Sequence, residues 1–159
     1  MKTLLIIFFL IFSMIIIYFF IIGHNSKSKN APGLIEGQLS KCPNTPNCYN
    51  TETPEDTEHY ISPIKLSTNT ADAFKIIKDI VKNMGGVIQT ENQKYFSAIF
   101  TSTLFGFVDD LEVKIDHKKN LIHIRSASRV GHGDLGVNKK RILLMKKLFE
   151  NSDLSSDKT

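Results

Sequence analysis

The chain has 159 residues, a formal net charge of +4, 42% hydrophobic and 23% charged residues. That length reads as one domain plus a short membrane-proximal segment and leaves no room for a second full-sized domain within these residues, since domains commonly take about 100–150 residues. The composition excludes a disordered polyelectrolyte and supplies material for a core. The net charge is too small to assign a partner class.

From Leu4 to Ile22 the chain is apolar except for Ser13 and Tyr18. As a helix rising about 1.5 Å per residue the run is roughly 28 Å long, close to the roughly 30 Å hydrocarbon core of a bilayer. A cleavable signal has an apolar region of only about 7–15 residues and a small-x-small site; here Ser26-Lys27-Ser28 is a poor match. Residues 1–23 are therefore read as an uncleaved, single-pass membrane anchor. The flanking charges, Lys2 and the terminal amine against Lys27, Lys29 and Lys41, slightly favour a cytoplasmic domain under the positive-inside rule.

Residues 24–41 are polar and broken by Pro32, Gly33 and Gly37, and read as a linker. Next comes Cys42-Pro-Asn-Thr-Pro-Asn-Cys48, which holds both cysteines of the chain. Proline and asparagine turn the backbone back on itself, so the two sulfurs can meet in a disulfide, which persists in an oxidising compartment. Zinc would want four ligands and tighter pairs; His59 or His132 could join, but no spacing places them, and no metal or cofactor is expected. A redox pair would more usually be C-x-x-C. The cysteines thus favour a periplasmic domain at the inner (cytoplasmic) membrane, against the charge count.

Residues 42–150 form the predicted domain. Tyr60 to Leu66 reads as a strand that Pro63 confines to an edge. Ser67, Thr68, Asn69 and Thr70 offer N-cap oxygens to a helix from Ala71 to Met84, whose Phe74, Ile77, Ile80 and Val81 recur at helical spacing before Gly85-Gly86 stops it. Strands are predicted at Val87–Glu91, Tyr95–Ser102, Phe107–Asp116 and Leu121–Arg129, joined by short turns. A last helix covers Gly136–Glu150 with Asp134 as its cap, and residues 151–159 read as a disordered tail. The order β-α-β-β-β-β-α implies an antiparallel sheet with both helices on one face, an α+β domain behind a transmembrane helix.

The hairpin of Phe107–Asp116 and Leu121–Arg129 carries the densest polar chemistry. Alternation places Asp109, Leu111, Val113 and Ile115 on one face and Asp110, Glu112, Lys114 and Asp116 on the other. With Asp116 opposite Leu121, Ile115 meets Ile122, Val113 meets Ile124, Glu112 meets Arg125 and Asp109 meets Ser128, while Asp110 lies diagonal to Arg125. Asp109 on the core side needs donors, for which Ser126, Ser128, Arg141 and the amides of the last helix are available. The structural reading is a network of Asp109, Asp110, Glu112 and Arg125 that locks hairpin to helix, with exposed pairs worth only about 0–1 kcal/mol each.

The binding reading draws on nine Lys or Arg against the single acid Asp134 between Lys118 and Lys147. Arg125, Ser126, Ser128, Arg129, Asp134, Asn138 and Arg141 could together bind an anion beside a helix amino terminus. A solvated helix face explains the charge strip equally well. Gly131, Gly133 and Gly136 spell G-x-G-x-x-G after a strand, but no second parallel strand follows, so dinucleotide binding is rejected. No G-x-S-x-G, H-E-x-x-H or P-loop is present.

Three blocks of residues resemble one family: Gly33-Leu34 through Gly37-x-Leu39 and Cys42-Pro-x-x-Pro-Asn-Cys48; Phe107-Val-Asp-Asp-x-Glu112; and Arg125-Ser-Ala-Ser-Arg-x-Gly131-x-x-Asp134-x-Gly136-x-Asn138-x-x-Arg141. The chain is similar to the domain of unknown function family 1499, over nearly everything after the anchor. The resemblance implies a bacterial or plastid, exported or envelope-associated protein with no assigned activity, and so supports the periplasmic orientation. The favoured expectation is an envelope binding or scaffold module, anchored in the membrane through residues 4–22, for an anionic lipid, an anionic small molecule or a protein, without nucleic acid. The alternative is an enzyme using Asp109, Asp110 or Asp134 as acid, base or metal ligand near Arg125 and Arg141.

Overall fold

The computed structural model describes residues 1–66 and 70–156. Helix α1 (Lys2–Ser26) covers the apolar run without a break. It is long and apolar enough to cross a membrane, and its most apolar window has no residue buried against the rest of the chain.

Residues beyond α1 do not form a free linker. They enter a small hairpin, β1 (Leu34–Ile35) with β2 (Gln38–Leu39). Its turn residues Glu36 and Gly37 both have positive φ, 51° and 78°, the geometry that matches the natural twist of a two-residue hairpin. Strand β3 (Cys48–Asn50) follows, then β4 (Ile64–Lys65), two residues where the sequence predicts a strand from Tyr60 to Leu66. Pro63 has no N–H to give a ladder, and Tyr60 makes only an isolated parallel bridge to Asn50.

Helix α2 (Thr70–Asn83) is followed by Gly85, whose φ of +89° suits the left-handed exit from a helix. The N-cap expected from Ser67 to Asn69 lies outside the described residues. Four antiparallel strands succeed it: β5 (Val87–Glu91), β6 (Tyr95–Thr101), β7 (Val108–Asp116) and β8 (Leu121–Ser128). The sheet order is β3-β8-β7-β6-β5, with β4 sharing the β8 edge with β3. Helix α3 (Val137–Ser156) closes the domain. It runs six residues past Glu150, so most of the tail expected to be disordered is helical, and Ser152 Oγ donates to the Leu148 carbonyl four residues back at 2.9 Å.

The architecture is α+β, as the element order implies. On one face of the sheet, Ile77 and Val81 of α2 and Ile142, Met145 and Phe149 of α3 meet Phe96, Ala98, Leu111, Val113, Ile122 and Ile124. Most of these side chains are fully buried, each contributing about 1.5–3 kcal/mol relative to exposure. The register of β7 on β8 sets Ile115 against Ile122, Val113 against Ile124, Glu112 against Arg125 and Asp109 against Ser128. The alternation of both strands and the tight turn, where Asn120 adopts φ 52°, carry that register.

Candidate functional site

The polar residues of the hairpin divide between the two faces of the sheet. On the helix face Asp109 accepts from Arg141 Nη2 at 2.8 Å. Arg141 Nη1 also donates to Ser126 Oγ at 2.9 Å and to Asn138 Oδ1, and its guanidinium stacks 4.3 Å above the Phe100 ring. Asn138, fully buried, is the hub. Its Oδ1 accepts from Ser126 Oγ at 2.5 Å, and its Nδ2 donates to Ser128 Oγ and the Asn47 carbonyl, both at 3.0 Å. Asp134 caps α3 by accepting from the amides of Gly136 at 2.9 Å and Asn138 at 2.7 Å, which satisfies two of the amides a helix start leaves open. Asn47 Nδ2 donates to the Gly131 carbonyl at 2.7 Å, fastening the cysteine loop to the loop before α3.

On the other face lies a buried layer of ionisable side chains. Glu112, fully buried, accepts from Arg125 Nη1, Tyr95 Oη and the Gly33 amide, each at 2.9 Å. Burial pushes the Glu112 carboxyl up from its ordinary range, with Arg125 as the main opposing influence, and burial followed by the Glu112 charge pushes the Tyr95 hydroxyl up as well. Asp110 takes a two-pronged bond from Arg129, Nε at 2.9 Å and Nη2 at 2.7 Å. Lys114 pairs with Glu52 and donates to the Gly37 carbonyl, while Glu52 also accepts from the Leu39 amide at 2.8 Å. His123 lies beside them, with Nδ1 3.1 Å from the Thr51 carbonyl, which can only accept, so Nδ1 carries the proton. Burial lowers the pKa of His123.

This second face is covered, which corrects the expectation of exposed ion pairs on it. Asp110, Glu112, Lys114, His123 and Arg125 are all at most 8% exposed. The cover is the stretch read as a linker together with Thr51 and Glu52. Without that cover these pairs would be surface pairs worth little; under it, desolvation makes each partner dependent on the other.

The same stretch fastens α1 to the domain. Ser26 Oγ accepts from the Val108 amide at 3.0 Å, and Arg129 Nη1 reaches the Ser26 carbonyl at 3.3 Å. Lys29 Nζ donates to the Arg129 carbonyl at 3.0 Å. Phe105, in the β6–β7 loop, sets its ring 5.3 Å from those of both Phe19 and Phe20, and Phe107 lies 6.4 Å from Phe19. Gly23 passes so close that a Cβ there would stand 1.9 Å from the Phe105 carbonyl oxygen.

The seven residues expected to form an anion site are thus not brought to one surface. Ser126, Ser128, Asn138 and Arg141 meet on the helix face with Asp134 at the α3 start, while Arg125 and Arg129 lie on the opposite face of the sheet. Each arginine already faces a carboxylate, Arg125 with Glu112, Arg129 with Asp110 and Arg141 with Asp109. Asp110 pairs with Arg129 and not with Arg125, the diagonal partner expected from the register, whose Nη1 bonds Glu112. The sequence reading missed Glu52, Lys114, His123, Tyr95, Asn47 and Gly33 as members of these networks; their partners are distant in sequence and share no periodic signal. Cys42 and Cys48 form the disulfide. Among the described residues, no group of three His, Cys, Asp or Glu side chains is placed to hold a metal ion.

The family model described as "Protein of unknown function (DUF1499)" matches residues 38–148, more than half of the chain. The chain belongs to that family, and the match begins after α1, inside the small hairpin. No curated protein and no solved structure matches the chain.

Proposed function

We propose that this member of the family is a single-pass protein of the inner membrane whose domain faces the periplasm and serves as a binding or scaffold module for a lipid or protein of the envelope. The observation that carries the reading is the attachment of α1. A chain that only needed tethering could use a loose linker, whereas here Phe19, Phe20, Gly23 and Ser26 are packed and hydrogen-bonded to the β6–β7 loop and to Arg129. The domain therefore keeps one attitude to the helix, which is what presenting a surface at a fixed height above a bilayer requires. The Cys42–Cys48 disulfide supports an oxidising compartment.

The pairing of Asp109, Asp110 and Glu112 with arginines supports a module over an enzyme, because a carboxylate already bonded to a guanidinium is not free to engage a substrate or a metal. The same pairing weighs against a free anion as the ligand and moves the reading toward apolar or protein partners. Labelling of the cysteines in intact cells tests the placement. A membrane-impermeant maleimide that reaches Cys42 and Cys48 only after reduction, with the inner membrane intact, is the expected result. Labelling without reduction, or only after the inner membrane is opened, overturns it.

A further inference from the structure

A cavity of about 560 Å³ lies between α1, the β6–β7 loop and the loop leading into α3, a size within the range of small-ligand sites. Phe19 and Ile22 form its helix wall, Phe105 and Phe107 a second, Val130 and Leu135 a third. Most of its polar lining is committed: Asp109 to Arg141, Ser128 to Asn138, Ser102 to the Phe107 amide and Asp134 to the amides of α3. His132 is the one further titratable side chain of the lining and is exposed, and the remaining lining residues are apolar or glycine, so the cavity favours a hydrocarbon occupant.

The height of the cavity narrows the choice. A membrane span takes about 20 apolar residues, and the run from Leu4 to Ile22 ends at the cavity wall. Phe19 and Ile22 thus stand at the boundary between acyl chains and headgroups, and Phe105, in ring contact with Phe19 and Phe20, is held at the same level. Two exposed leucines flank the opening. Leu104 is 69% exposed and Leu135 95% exposed, and Leu135 sits at φ 55°, a left-handed conformation that a leucine adopts at a cost. A strained, almost fully presented Leu135 and a largely exposed Leu104 in the lining of one apolar cleft, beside the end of a membrane span, have a physical reason if both side chains enter the bilayer.

We infer that the cleft between α1 and the β6–β7 and β8–α3 loops holds one acyl chain of a bilayer phospholipid, with Leu104 and Leu135 dipped into the same leaflet on either side. The inference deepens the module reading proposed above and rests on α1 lying in a membrane. The occupant is a phospholipid chain because Phe19 and Ile22 of α1 form one wall of the cleft, which sets it against the bilayer, where that chemistry is the most concentrated one at hand.

The test uses the full chain in phospholipid nanodiscs doped with a phosphatidylcholine that carries a diazirine midway along one chain. After irradiation, adducts are mapped by peptide mass spectrometry. Adducts are expected on residues 104–107 and 130–137 as well as along 5–15 of α1. Val130→Trp, which fills the cleft, should lower the cleft adducts at least fivefold and leave those on 5–15 unchanged. Leu135→Asp, on a side chain outside the core, should lower them at least twofold and serves if the tryptophan variant misfolds. Adducts confined to residues 5–15, or cleft adducts unchanged in both variants, would overturn the inference alone. Labelling of the cleft by a diazirine fatty acid but not by the phospholipid would overturn the assignment to a bilayer phospholipid. Absence of adducts along 5–15 would instead remove the membrane anchor on which the module reading stands.

Discussion

Replacing Arg125 by methionine tests whether the covered charge layer is a structural joint. Glu112 has no exposed surface, and Arg125 Nη1 is the one charged donor among the three groups that bond its carboxylate. Methionine keeps much of the side-chain volume and removes the charge, leaving a desolvated carboxylate with Tyr95 and the Gly33 amide. Breaking a buried pair from one side costs about 3–5 kcal/mol, whereas neutralising both partners is often close to neutral. Arg125→Met should therefore cost about 3 kcal/mol or more at pH 7, and the double variant Glu112→Gln with Arg125→Met should recover about 2 kcal/mol of it. Because burial has raised the Glu112 pKa, the penalty of the single variant should shrink as the pH falls and the carboxyl takes up its proton. Urea unfolding of the full chain in detergent micelles, followed by circular dichroism, measures all four corners of the cycle. A single-variant cost below about 1 kcal/mol, additive with Glu112→Gln, would show a pair behaving as if exposed and would refute the reasoning.

Other positions answer to separate parts of the structure. Gly23→Ala places a Cβ on a backbone oxygen that cannot rotate away, so about 1–3 kcal/mol of overpacking should loosen α1 from the β6–β7 loop; limited proteolysis should cut within residues 102–107 faster, with the sheet intact. Loss of the disulfide by Cys42→Ser opens a loop with a sequence separation of six and should cost about 2 kcal/mol by loop entropy, a drop in melting temperature that reductant reproduces in the parent chain. The His123 pKa is depressed below its ordinary 6.5, chiefly by burial, so the stability it contributes is present above pH 6.5 and is lost as the pH falls toward its folded value. The loss approaches about 1.4 kcal/mol per pH unit for one differential proton, and His123→Gln should flatten that acid-side slope.

What the sequence revealed was what repeats. Two strands alternating with period two, joined by a four-residue turn, specify the β7–β8 register down to Glu112 opposite Arg125 and Asp109 opposite Ser128. The helical spacing of Phe74, Ile77, Ile80 and Val81 likewise brings α2 to its core face. What repeats nothing stayed hidden. Residues 24–53 contain strands of only two or three residues, and their hold on the sheet runs through single contacts such as the Gly33 amide to Glu112 and the Leu39 amide to Glu52. Without that cover in view, the charged face of β7 reads as solvent-exposed and three arginines on two faces read as one basic patch. Leu104-Phe105 beside Gly106 is the signal that was available, since an apolar pair at the tip of a strand connection needs a reason to be there.

Hydrogen exchange of the full chain in nanodiscs tests the joining of anchor and domain most directly, read on peptides covering residues 24–41 and 102–112. The structure predicts that the Gly33 and Leu39 amides, bonded to the carboxylates of Glu112 and Glu52, and the Val108 amide, bonded to Ser26, exchange as slowly as the edges of the sheet. Exchange of 24–41 at the rate of an unstructured peptide, with β7 and β8 still protected, would contradict the account and return this stretch to a flexible tether.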